Sequence, residues 1–178
     1  FRTRVGRLLM SKPFIISTII ATTALMVLTG GLGYLVGLLI ALITFWSGRW
    51  NWSYFGISRP DWGSSLTKAL VYTLVCILLI DVMLTPMVEH YAKTPHDLSS
   101  FEFLKGHFWK LAVYMVFMWI IAGFGEEFFY RGYLMKRLAV LFGNSDNAWI
   151  LAVVLSAIPF GLVHFYQGIS GIITTGAV

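Results

Sequence analysis

From Pro13 to Trp46 the chain carries no charged side chain, a run of 34 residues, and that length limits what it can fold into. As a single helix the run would extend about 50 Å, against a hydrocarbon core about 30 Å thick. It is therefore expected to fold back on itself. Gly30, Gly31 and Gly33 sit at its middle, where glycine gives the backbone the freedom a tight reversal needs. The other reading is that these glycines, with Gly37, only allow close helix packing.

The distribution of Lys and Arg separates the two readings, because short cytoplasmic loops collect basic residues. With a hairpin, one face holds Arg2, Arg4, Arg7, Lys12, Arg49, Arg59, Lys68, Arg131, Lys136 and Arg137, and the other only Lys93, Lys105 and Lys110. With a single span the bias almost vanishes. The hairpin is favoured, with the N-terminus in the cytoplasm.

Further apolar segments run from Leu66 to Val88, from Phe108 into the region of Glu126, and from Trp149 to His164, with another beginning near Ile169. The expected fold class is all-α, a polytopic transmembrane helix bundle of about five or more spans. A composition of 58% hydrophobic and 12% charged residues excludes an ordinary water-soluble domain. Orientation and anionic lipid account for the net charge of +5, so no nucleic-acid partner is expected. The lipid bilayer is the first partner. The single cysteine, Cys76, allows no intrachain disulfide and reads as a small core residue. Trp50 to Trp62 is rich in aromatic residues, as expected at headgroup level. Glu89 to His107 reads as a polar loop on the non-cytoplasmic face, and its His90, His96 and His107 lack metal-ligand spacing. The chain opens on Phe1 and stops at Val178 within an apolar segment. The expectation is one membrane-embedded domain over 1–178, truncated at both ends.

Ionisable groups inside apolar sequence mark the candidate site. Each costs roughly 2.5 to 3.5 kcal/mol on insertion scales and so needs a partner or a task. Glu126, Glu127 and Arg131 lie in one apolar segment, and His164 lies in the next, four residues after Phe160. On a helix Glu127 and Arg131 share a face in the favourable acid-first order and can neutralise each other. Glu126 is turned about 100° away, so it can point into a different space. Phe160 and His164 are one turn apart, and Pro159 with Gly161 suggests a kinked helix there. From Trp109 to Glu126 a helix rises about 25 Å, and from Glu126 to Arg137 about 16 Å, which puts the acid nearer the cytoplasmic side.

These residues resemble the CPBP intramembrane proteases, the family of type II CAAX prenyl endopeptidases and bacteriocin-immunity proteins (the Abi domain). Gly125-Glu126-Glu127-Phe128-Phe129-Tyr130-Arg131-Gly132 is similar to its Glu-Glu-x-x-x-Arg motif, and Phe160-Gly161-Leu162-Val163-His164 to its Phe-x-x-x-His motif. The family-like region runs from about Phe55, through the interfacial Gly56-Ile57-Ser58-Arg59-Pro60, to the end of the chain.

The resemblance implies an endopeptidase in which Glu126 and His164 are catalytic, activating a water, with Glu127, Arg131 and Phe160 in support. Its implied substrate is a membrane-associated protein or peptide, including the CAAX type, and its implied location a bacterial plasma membrane. The cofactor stays open between a zinc ion, for which Glu126 and His164 are the candidate ligands, and a mechanism without metal. The family's further histidine, with an asparagine four positions on, is absent from the 14 residues after His164, and truncation is the expected reason.

Two other classes remain open at the level of sequence. A non-catalytic immunity or accessory protein would keep the motifs as a packing network. A proton-coupled transporter would use Glu126, Glu127 and Asp81 as a relay, although no inverted repeat is evident.

Overall fold

The computed structural model describes residues 2–29, 31–55, 57 and 61–178. Gly30 at the expected reversal, and Gly56, Ser58, Arg59 and Pro60 of the interfacial segment, lie outside them. Every regular element among the described residues is helical, as lipid demands of a backbone that must bond to itself. The elements are α1 (Arg2–Leu9), α2 (Lys12–Thr29), α3 (Gly31–Ser47), α4 (Trp62–Ala92), α5 (Phe108–Leu141), α6 (Asp146–Leu162) and α7 (Gly168–Ala177).

By length and composition α2, α4 and α5 can each cross a membrane, and α6 with the helical stretch that follows it makes a fourth, bent by 61°. The sequence expectation of about five spans counted more crossings. It counted α3, whose apolar part Leu32–Ser47 is shorter, and it counted α6 and α7 separately.

The chain gathers into two compact units, Phe1–Ile57 with Gly106–Ser156, and Ser58–Lys105 with Ala157–Val178. In the first unit α2 and α3 form the expected hairpin. Gly33 approaches the Leu25–Met26 backbone so closely that a Cβ would overlap it, so close packing is a second reason for glycine here. Along α3 the buried positions Gly33, Gly37, Ala41, Thr44 and Phe45 recur every three or four residues, a stripe of mainly small residues that lets helices approach closely. Gly37 receives the ring of Phe129 from α5, where a Cβ would stand 2.6 Å from Cζ. Thr22 and Thr44 return their hydroxyls to the carbonyls of Thr18 and Ile40, so these buried polar groups are satisfied within their own helices. Phe45 anchors an aromatic cluster with Trp50, Trp52, Phe55 and Phe128. Two tryptophans expected as headgroup anchors, both about half exposed, therefore also pack against the buried Phe45.

In the second unit α4 exposes its whole apolar window, a surface suited to hydrocarbon. Cys76 is exposed on it, which corrects its reading as a core residue. The second half of α4 packs on α7. The end of α6 crosses α7 at Gly161, which lies against the Ile172 carbonyl with no room for a Cβ.

Two stretches depart from the α-helical winding that the sequence reading assumed. Ile77–Leu84 within α4 and Trp119–Met135 within α5 take the wider π form, which is rare and frequent at functional sites.

Candidate active site

The first half of the site lies on the π-wound part of α5. Glu126 and Glu127 diverge there, as adjacent helical residues must. Glu127 accepts from Arg131 Nη1 at 2.7 Å, and the pair sits at the rim of a cavity of about 360 Å³ lined by Phe55, Phe124, Phe128 and Met135. The pair is partly exposed on the protein surface.

Glu126 is half-buried and lies within electrostatic reach of two phenols, Tyr34 and Tyr130. Tyr34 comes from α3, and its hydroxyl donates to the Ile121 carbonyl at 3.0 Å. That oxygen rests against Gly125, where a Cβ would collide with it. The Tyr34 ring also meets Phe129 edge-on at 6.3 Å. Tyr130 donates to Met26 Sδ at 3.3 Å. The hairpin thus grips the motif helix on both sides of Glu126. Sequence reasoning missed Tyr34 and Tyr130, since each partner lies about ninety or more residues away and no local spacing announces it.

The second half lies where α6 ends. Pro159 falls inside α6, and the helix runs on to Leu162, so the break comes at His164 rather than at the proline. The imidazole caps the helix end. Its Nδ1 lies 2.8 Å from the Phe160 carbonyl oxygen, which can only accept, so Nδ1 carries the hydrogen. In the neutral ring that leaves the lone pair on Nε2. Phe160 meets the imidazole edge-on at 5.2 Å, the pairing expected from their spacing. Beyond the break, the turn Phe165–Gln167 touches the Glu89–His107 loop, and Asp97 N–H donates to the Gln167 carbonyl at 3.1 Å. His164 therefore lies at the loop end of its unit. The expected opening toward the cytoplasm rested on the depth of Glu126 alone.

The remaining candidates sit apart from these contacts. Asp81 is exposed in the π stretch of α4, and His90 and His107 are exposed. Among the described residues no three of His, Cys, Asp or Glu gather as a metal site would require.

Residues 108–178, which hold both motifs, match the family model described as type II CAAX prenyl endopeptidase Rce1-like. This segment is similar to the Rce1-like family over about two fifths of the chain. The likeness and the apolar helices are those of an integral membrane protein. The Rce1-like match is shorter than the stretch from about Phe55 that the motifs suggested. No curated protein and no solved structure matches the chain.

Proposed function

We propose that this chain is an intramembrane endopeptidase of a bacterial plasma membrane that hydrolyses a membrane-associated protein or peptide of the CAAX type, with Glu126 as base and His164 as its partner. One observation carries the reading: both motifs fall, in order and on successive apolar helices, inside the single Rce1-like segment.

The chemistry needs only a peptide and water. Glu126 takes one proton from the water as its oxygen bonds to the scissile carbonyl carbon, and the carbonyl π electrons move to oxygen. A carboxylate shielded from bulk water is a stronger base than one in solution. Nε2 of His164 accepts a hydrogen bond from the water's second O–H and aims the oxygen lone pair. Collapse of the tetrahedral centre breaks the C–N bond, and Glu126 returns its proton to the departing nitrogen. The products are a carboxylic acid, which then loses its proton to solvent, and an amine. Glu127 and Arg131 hold each other and fix the register of α5, and Phe160 orients the imidazole through its carbonyl and its ring.

Turnover of a quenched CAAX-type peptide by the purified chain tests this. Wild type is expected to cleave, and Glu126→Gln and His164→Ala to lose at least about 100-fold, the lower end of what a positioned acid or base contributes. Equal turnover by all three would contradict the assignment.

A further inference from the structure

His164 stands at a helix break, and a side chain at a break is aimed only as well as the turn behind it is held. The turn Phe165–Gln167 makes few bonds of its own. Gln167 N–H returns to the His164 carbonyl at 2.9 Å, and α7 begins at Gly168 with φ at 78°.

What holds the turn comes from outside it. His96 Nε2 lies 3.0 Å from Gln167 Oε1, an oxygen that can only accept, so the imidazole donates. The next residue, Asp97, donates its N–H to the Gln167 backbone carbonyl. Two consecutive loop residues therefore grip the side chain and the main chain of one turn residue.

The loop is anchored in turn. His96 N–H donates to Glu89 Oε1 at 2.8 Å, at the end of α4, and Asp97 Oδ1 accepts from Ser99 N–H at 2.8 Å. Two further features are built around Gln167. Gly171 leaves the space its side chain fills, since a Cβ there would overlap the Gln167 Cβ. Gln167 Nε2 also donates to the Tyr166 hydroxyl at 3.0 Å, and the Tyr166 ring lies 5.9 Å from the His164 ring.

We infer that His96 and Gln167 are positioning residues for the hydrolysis, forming a strap from Glu89 through the loop to the turn that sets the direction of the His164 imidazole. The inference rests on the reading of His164 as a catalytic partner. It gives a task to one loop histidine that the motifs leave aside.

The test uses the full chain in detergent or nanodiscs with the quenched CAAX-type peptide. Gln167→Leu and His96→Ala are each expected to lower kcat about tenfold with KM within twofold, since small misplacements of a reacting group are costly. The double variant is expected to fall no further than the weaker single variant, because both cut the same strap. Gln167→Glu keeps an acceptor oxygen for His96 and is expected to stay within twofold of wild type. Hydrogen exchange at the amides of 164–168 is expected to speed up at least tenfold in Gln167→Leu and His96→Ala. That readout does not depend on catalysis.

Wild-type kcat in both single variants, or multiplicative losses with unchanged exchange, would overturn the strap while His164→Ala remains inactive. Wild-type turnover by His164→Ala would instead overturn the catalytic reading and the positioning role with it. A variant that fails to fold is replaced by Gly171→Ala, which crowds Gln167 without removing a hydrogen-bonding group and is expected to lower kcat in the same way.

Discussion

Gly125 and Tyr34 give the sharpest test at the scale of single residues. A methyl group at position 125 meets the Tyr34 hydroxyl oxygen and little else that is rigid, the next atoms being 3.5 Å away or more. Gly125→Ala is therefore expected to lower both folded yield and turnover, and Tyr34→Phe, which removes only that oxygen, is expected to restore much of both in the double variant. If the double variant is as impaired as Gly125→Ala alone, the hydroxyl does not hold the motif helix. Glu126→Gln and Glu127→Gln should also separate. The first removes the proposed base, and the second only one arm of a partly exposed pair worth little in itself. Turnover is expected to vanish in the first and to stay within about tenfold of wild type in the second.

The charged and aromatic members of the proposed site were legible in the sequence because an acid or base in apolar sequence is conspicuous, and because Glu127 with Arg131 and Phe160 with His164 obey helical spacing. Tyr34 and Tyr130 were not. A tyrosine in a membrane helix is unremarkable until its distant partner is known. His96 was read as an ordinary loop residue for the same reason, since its partner Gln167 lies 71 positions on.

At the scale of elements, the glycines divide by what surrounds them. A Cβ on Gly37 presses on the Phe129 ring, and one on Gly161 presses on the Ile172 backbone, whereas Gly63 has nothing within 4 Å. Gly37→Val is expected to destabilise the first unit by about 1 to 3 kcal/mol through overpacking. Gly63→Ala is expected to stabilise α4 by about 0.5 to 1 kcal/mol through better helix propensity. Thermal unfolding in detergent measures both, and equal effects would contradict the packing described.

The strap loop carries its own acid sensitivity. The Ser99 hydroxyl and then its N–H hold the Asp97 carboxyl below its ordinary value of 3.8. A lowered folded value means that the stabilisation is complete above the ordinary value and fades as pH falls through the lowered one. Exchange of the amides at 97–99 is expected to be unaffected near neutrality and to rise, beyond the intrinsic pH trend, only below about pH 4. A rise between pH 7 and 5 would contradict this cause. Hydropathy revealed that the helices exist and that α2 and α3 reverse. It could not reveal the π winding of α5, because Trp119–Met135 is apolar on nearly every face and offers no clear side-chain period from which winding could be read, nor that α6 would pass Pro159 and break at His164.

For the whole molecule, the uneven distribution of Lys and Arg is the basis for expecting the N-terminus in the cytoplasm. Arg4→Cys in the N-terminal helix is expected to react with an impermeant maleimide only after cells are permeabilised, and Ser99→Cys in the strap loop to react in intact cells, both in a Cys76→Ser background. The reverse pattern would invert the topology. Because the His164 turn is bonded to this loop, the label at Ser99 also reports the membrane face to which that half of the site belongs. Sequence could supply the apolar segments and their charge bias, both local sums. The proposed meeting of Glu126 and His164 is no local sum, because it rests on packing between different helices.

That meeting is the central claim, and a short bifunctional thiol reagent tests it most directly in a chain carrying Glu126→Cys and His164→Cys with Cys76→Ser. Fast, high-yield intramolecular cross-linking is expected, slowed by a CAAX-type peptide that occupies the space between the two thiols. Full labelling of each cysteine alone, with no cross-link when both are present, would contradict it.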